Sequence, residues 1–206
     1  MSTVPRCDRA FFTTDAITLA RRLLGQRLVR IERGQRRACI IVETEAYLGT
    51  HDLASHAANG RRTPRNEAMY AIAGTSYVYF TYGMHHCFNV VCGHVDEPAA
   101  VLIRAAEVTE GEALMRARLP KARRASTPTR DLCRGPGRLC RALDIDRALN
   151  CIDLTTSDEL WIERVRRRCV RSSAIGVSPR IGVDYARHWS LKPLRFFLHQ
   201  SPCVSR

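Results

Sequence analysis

Residues 99–108 are nearly all apolar, and the single charge within 99–106 is Arg104. So apolar a run fits a strand covered on both faces, and it is read as the central strand of a sheet. A guanidinium on such a strand needs an opposite charge, because an unpaired buried cation is strongly unfavourable. A carboxylate from a neighbouring strand is the natural partner. Residues 38–47 begin with the apolar Cys39, Ile40, Ile41 and Val42 and then reach Glu43, Thr44 and Glu45. Period-two geometry puts Glu43 and Glu45 on one face at the end of that strand. Taken alone, the segment leaves two readings open, surface carboxylates or partners of Arg104. A carboxylate beside an arginine can hold and deprotonate a water, which is what hydrolysis requires.

The other elements read as mixed α and β in one domain spanning residues 1–206, with 1–10 expected to be loose. A chain of 206 residues can bury one sizeable core. Asp15 can cap a helix over 16–24, with Gly25 as its left-handed stop. Residues 26–32 and 37–45 read as strands joined at Arg33–Gly34. Residues 48–65 form a long polar loop carrying Gly49, Gly60 and Pro64, a length more often functional than incidental. Residues 76–81 alternate Tyr77 and Tyr79 with Val78 and Phe80, a strand pattern. A turn at 82–85, loosened by Gly83, leads to a strand over 87–92. Residues 110–119 read as a helix. Gly135 and Pro136 open another over 137–143, whose free amides suit a phosphate. Strands are expected at 160–165 and 194–198.

The net charge is +13, an excess that favours a polyanionic partner, nucleic acid above all. No stretch joins a basic face to a strong apolar face, as binding to a membrane surface requires. There is also no run of eighteen apolar residues. The first nine residues lack a secretory apolar stretch, and the nine cysteines are odd in number without a CxxC pair. A reducing compartment is therefore expected, cytoplasmic around a nucleoid or nuclear. Arg116, Arg118, Lys121, Arg123, Arg124, Arg130, Arg134, Arg138 and Arg141 face the single acid Asp131 in their stretch. Their density beside a helix start is read as a phosphate-contacting surface.

Tyr47, Tyr70, Tyr77, Tyr79 and Tyr82 are five of the six tyrosines, gathered in one portion of the chain. They suit either a core rim or stacking on a nucleobase. Tyr82, at a hairpin tip before Gly83 and Met84, has the placing of a wedge for a base stack. His85, His86, Cys87, Cys92 and His94 lie close together, but Cys87 and Cys92 lack the spacing of a zinc site, and no metal is expected. No lysine precedes Lys121, so no amine nucleophile is at hand near the acids, and water is the expected nucleophile.

At IVETEAY (41–47) the sequence resembles the alkyladenine, or 3-methyladenine, DNA glycosylase family. The resemblance continues through 48–56, Thr63-Pro64-Arg65-Asn66 and GTSYVYFTYGMHHCFN (74–89). It resumes at VLIRA (101–105), DLCRGPGRL (131–139), KPLRF (192–196) and Ser201-Pro202. It implies an α+β fold, a single mixed domain around a curved, mainly antiparallel sheet with flanking helices and a protruding β-hairpin. It implies Glu45 as the general base, with Arg104 positioning the water. Tyr47, His56 and Tyr79 would wall a flipped base, Asn89 would crowd the amino group of guanine, and Leu102 would line the same pocket. Tyr82 would replace the base in the duplex. Arg61, Thr63, Met84 and Arg138 are the expected contacts to the DNA backbone. The implied enzyme needs no cofactor, acts as a monomer on double-stranded DNA containing damaged purines, and leaves an abasic site. A non-catalytic damaged-DNA-binding protein is the alternative, which would not need the Glu45–Arg104 pair. A zinc deaminase would need H-x-E and P-C-x-x-C signatures, and neither is present.

Overall fold

In the computed structural model, which describes residues 4–205, the apolar run around Arg104 lies inside an eight-stranded antiparallel sheet. Helices α1 (Arg9–Phe12) and α2 (Ala16–Leu23) come first, followed by strands β1 (Arg27–Glu32) and β2 (Gln35–Tyr47). Then come β3 (Ser76–Thr81), β4 (His85–Cys92), β5 (Ala99–Glu110), and helices α3 (Glu112–Ala117) and α4 (Pro136–Leu143). Strands β6 (Leu160–Glu163), β7 (Ile175–Ser178) and β8 (Arg195–Leu198) complete the fold. The sheet order is β3-β4-β5-β2-β1-β6, with β8 also on β2 and β7 on β8. This is the expected α+β arrangement, with β3 and β4 as the hairpin.

Strand β2 changes partner along its length. Its first half pairs with β1 as far as Ile40, and Glu43–Glu45 pair with β8, while β5 runs along its other side. The register with β5 slips between Ile41 and Thr44, a bulge that bends the strand and curls the sheet. The main core lies under α2 and α4, with Leu19, Leu23, Ile41, Phe88, Ile103, Leu139 and Phe196 all buried. Asp15 caps α2 by accepting from the Thr18 amide at 2.9 Å.

Several boundaries differ from expectation for physical reasons. Strand β5 runs on to Glu110, which pairs with Ala38, so α3 starts two residues late. Gly111 separates the two at φ +76, where a Cβ would stand 2.7 Å from the Arg36 carbonyl oxygen. Strand β6 ends at Glu163, before the exposed arginines that follow. Strand β7 was not expected, because Gly176 interrupts its apolar alternation. That glycine lies against the Phe197 ring, which a Cβ would approach to 2.3 Å. Of the ten terminal residues expected to be loose, 1–3 lie outside the described residues. Further along, the Cys7 amide donates to Ile162 of β6 at 2.8 Å. No described helix is long and apolar enough to cross a membrane.

Candidate active site

One row of paired residues crosses four strands of the sheet. Tyr77 on β3 faces Asn89 on β4, Asn89 faces Leu102 on β5, and Leu102 faces Glu45 on β2. Directly paired residues put their side chains on the same face, so this register assembles a site from residues far apart in sequence. Above the row is a cavity of about 180 Å³. Its walls include Tyr47, His56, Tyr77, Tyr79, Tyr82, Asn89, Leu102 and Arg104. Every residue expected in the base pocket therefore faces one space, joined by Tyr82, the expected wedge.

Glu45 is fully buried and does not itself line the cavity. It lies one hydrogen bond behind the wall: the Tyr47 hydroxyl donates to its Oε2 at 3.0 Å. Its Oε1 accepts the Ile181 amide at 2.8 Å and lies 3.2 Å from an Arg104 guanidinium nitrogen. A carboxylate offers about four acceptor positions, so one on Oε2 stays free. The same arginine donates through Nε to Glu43 Oε1 at 3.0 Å. Arg104 thus bridges both acids of β2, as its place on an apolar strand required. Burial works against its charge, but Glu45 and then Glu43 outweigh burial and hold the guanidinium above its ordinary pKa.

Glu43 is engaged more fully than Glu45. It also accepts from Arg195 Nε at 2.6 Å, from the Ser205 amide at 2.6 Å and from the Ser205 hydroxyl at 2.8 Å. Two other buried groups set the cavity wall. The Asn66 carboxamide accepts from Thr63 and donates to the carbonyls of His56 and Arg61, at 2.7–3.0 Å. It ties together the loop that delivers His56. Arg180 reaches both oxygens of Asp52, at 2.5 and 2.8 Å, and lies over the Tyr47 ring at 4.7 Å. This pair joins the loop after β2 to the segment that brings Ile181, Val183 and Tyr185 to the cavity. Sequence reasoning missed Arg180, Asp52, Ile181 and the sixth tyrosine, Tyr185. A visible signal existed for Asp52, which falls inside a segment matching the family.

Burial sets the protonation of the walls. It pushes the Tyr47 hydroxyl up, with Glu45 acting in the same direction, and it raises Tyr79 as well. His56 is held down at about 4, by burial first and then by Arg65 and Arg61. Its Nδ1 lies 2.7 Å from the Tyr77 hydroxyl, and its ring meets Tyr79 edge-on. The cavity is thus lined by neutral aromatic faces at neutral pH.

Tyr82 stands at the hairpin tip, 80% exposed. It and Gly83 both have positive φ, 51° and 67°, the pattern of a tight hairpin turn. A tyrosine in that conformation is strained, and its ring is held in solvent beside the cavity. Met84 follows it and is likewise exposed. Arg61 and Arg138 are exposed and Thr63 half-exposed, all outside the cavity wall.

Four of the nine cations expected to contact phosphate, Arg116, Arg118, Arg124 and Arg134, are engaged within the protein. Arg116 binds Glu112 and the carbonyls of Arg124 and Thr127, and Arg118 binds Glu32 and Asp144. Arg124 donates to the carbonyls of Ala117 and Leu119, and Arg134 is tied to Asp131 and Val204. These four guanidiniums brace an irregular segment of short turns against its own carbonyls and neighbouring acids. Lys121, Arg123, Arg130 and Arg138 remain exposed.

The chain is similar to known proteins along nearly its whole length. A family model described as methylpurine-DNA glycosylase matches residues 10–202. A Myxococcus xanthus protein named putative 3-methyladenine DNA glycosylase is 47% identical over 198 residues, 96% of this chain and 92% of its own. A protein of the same name from Methanocella arvoryzae is 45% identical over 206 residues, 98% of this chain and 97% of its own. The mouse DNA-3-methyladenine glycosylase is 43% identical over 206 residues, 97% of this chain and 61% of its own.

Proposed function

The chain belongs to the methylpurine-DNA glycosylase family, and we propose that this DNA repair glycosylase excises alkylated or deaminated purines by activating water with Glu45. The observation that carries the mechanism is a buried carboxylate, clamped by Arg104, one hydrogen bond behind an aromatic-walled cavity. Tyr82 enters the duplex as the damaged nucleotide leaves it, filling the vacated stack. Extrusion costs a few kcal/mol and is cheapest for a base that pairs poorly, which is the first layer of selection. Tyr47, His56 and Tyr79 then hold the base. Tyrosine faces attract a cationic alkylated purine by about 0.5–2 kcal/mol. Asn89, which donates to the Tyr77 carbonyl at 3.0 Å, has its amide fixed where it can crowd the amino group of guanine.

The water binds the free position of Glu45 with Arg104 orienting it. Its oxygen forms a bond to the sugar C1′ as the bond from C1′ to the purine breaks. The purine leaves with that electron pair, Glu45 takes the proton of the water, and an abasic site remains. An alkylated cation leaves as a neutral base and needs no acid, whereas a neutral deaminated purine leaves as an anion that must take a proton from solvent water. Arg61, Thr63, Met84 and Arg138 touch the flanking backbone. The reading takes a monomer as the acting unit, in the compartment that holds the DNA.

The test is single-turnover release of base from a duplex with one alkylated or deaminated purine, using wild type and Glu45→Gln. Removing a general base lowers such rates by about 10²–10⁴-fold. We expect that loss with affinity for damaged DNA retained. Near-normal release by the variant would sink the role of Glu45. Tight binding without release by wild type would leave a damage-binding protein.

A further inference from the structure

Arg164, Arg166, Arg167, Arg168 and Arg171 fall within eight residues that contain no acid. All five are exposed, and they follow β6, the strand at the opposite end of the sheet order from β3. Four of them, with Arg22 of α2, rim a cavity of about 310 Å³ that shares no residue with the base pocket. The single acid on its wall is Asp8, whose carboxylate already accepts the Phe11 amide at 2.9 Å to start α1. None of these arginines forms an ion pair among the described residues. The contrast with Arg116, Arg118, Arg124 and Arg134 is direct, since those bind internal carboxylates and carbonyls.

Several like charges around one cavity repel one another, and the repulsion weakens the compact state unless a polyanion answers it. A small anion carries too few charges to do so. A DNA backbone presents one charge per about 1.7 Å of duplex. We propose that this arginine-rimmed cavity is a second DNA-backbone site, independent of the lesion and separate from the base pocket. The inference rests on the reading of the chain as a DNA enzyme. Arg166 is partly structural, because its stem packs over Gly25 and its carbonyl accepts from the Gln26 carboxamide at 3.1 Å. The guanidiniums of Arg164, Arg167 and Arg168 have no such part and are the contacts.

The experiment replaces Arg164, Arg167 and Arg168 together by glutamine and measures binding to an undamaged duplex between 50 and 200 mM salt by fluorescence anisotropy. Each lost phosphate contact flattens the plot of log affinity against log salt by about 0.9. The slope should therefore fall by about 2.7, while single-turnover base release at saturating enzyme stays at the wild-type rate. An unchanged slope overturns the proposal. Inorganic triphosphate, followed by its effect on melting temperature, separates the other source of phosphate. If the variant loses protection by triphosphate but keeps the wild-type DNA slope, the cavity is a small-polyphosphate site and the proposal fails. Should the triple variant not fold, Arg167→Gln alone is expected to lower the slope by about 0.9. Absence of base release by the wild-type protein would count against the glycosylase reading, and the slopes would still decide this one.

Discussion

Glu43 and Glu45 are two residues apart, equally buried, and both bonded to Arg104, yet their surroundings assign them different work. Glu43 receives four hydrogen-bond donors, three of them crowded on Oε1 and none from the cavity wall, whereas Glu45 is bonded to the wall residue Tyr47 through an Oε2 that takes no other donor. Removing Glu43 leaves Arg104 and Arg195 facing each other with little access to water. Breaking a buried pair in this way costs about 3–5 kcal/mol. Each kcal/mol moves the melting temperature of a chain this size by about 2–4 °C. Glu43→Ala should thus melt roughly 6–20 °C below wild type in calorimetry, and Glu45→Gln much closer to it. Equal losses in the two variants would refute the division of labour. His56 makes a separate case. Its folded pKa of about 4 lies below the ordinary 6.5, so the unfolded chain takes the proton first as pH falls. The stability from keeping it neutral is complete above about 6.5 and is lost toward pH 4. Urea unfolding should show wild type losing up to about 2 kcal/mol more than His56→Gln between pH 7 and 5. A difference of zero would place the proton elsewhere.

At the scale of elements, the cavity wall in front of Glu45 depends on a clamp between two irregular segments. Asp52 and Arg180 have fully buried side chains and lie 128 residues apart in sequence. Arg180 also donates to the Ala46 carbonyl at 2.9 Å, next to the acid that the following residue, Ile181, supports. Asp52→Ala should therefore expose the Ile181 amide to hydrogen exchange and slow single-turnover release by about tenfold or more, with binding of damaged DNA less affected. Protection of that amide at the wild-type level would show the clamp to be dispensable. The contrast with β5 explains what could be read from sequence. A charge on an apolar strand declares that it needs a partner, and Glu43 and Glu45 stand together at the end of another apolar run. The exposed Tyr82 at the hairpin tip was legible for a similar local reason, an aromatic residue before glycine between two alternating runs. Arg180 sits among proline, serine and glycine, where nothing marks it as buried, and its partner is distant. Strand β7 was hidden by Gly176, whose missing side chain makes sense only once Phe197 is packed on it. Arg116, Arg118, Arg124 and Arg134 read as free charge because sequence shows charge and not the carbonyls and carboxylates it will bind.

For the whole molecule, net charge and pocket chemistry act on different steps. A net charge of +13 draws the protein to any duplex, damaged or not, with counterions released from the phosphates it covers. That attraction acts between exposed groups and is screened over about 8 Å at physiological salt. Under the role proposed for Glu45, chemistry takes place behind Tyr47, where Glu45 and Arg104 are buried and mobile ions have little access. The two steps should part under salt. With six or more phosphates covered, raising salt from 50 to 200 mM weakens duplex binding by about 10³-fold or more. Under the same change, the single-turnover rate at saturating enzyme should move less than about twofold, because the interactions that set it are screened far less. The measurement is a pair of curves, the enzyme concentration for half-maximal rate and the plateau rate, each followed across salt. A plateau falling in step with affinity would mean that the duplex contacts also hold the flipped state. In that case the exposed charge, and not the buried pair alone, would contribute to the barrier for releasing the base.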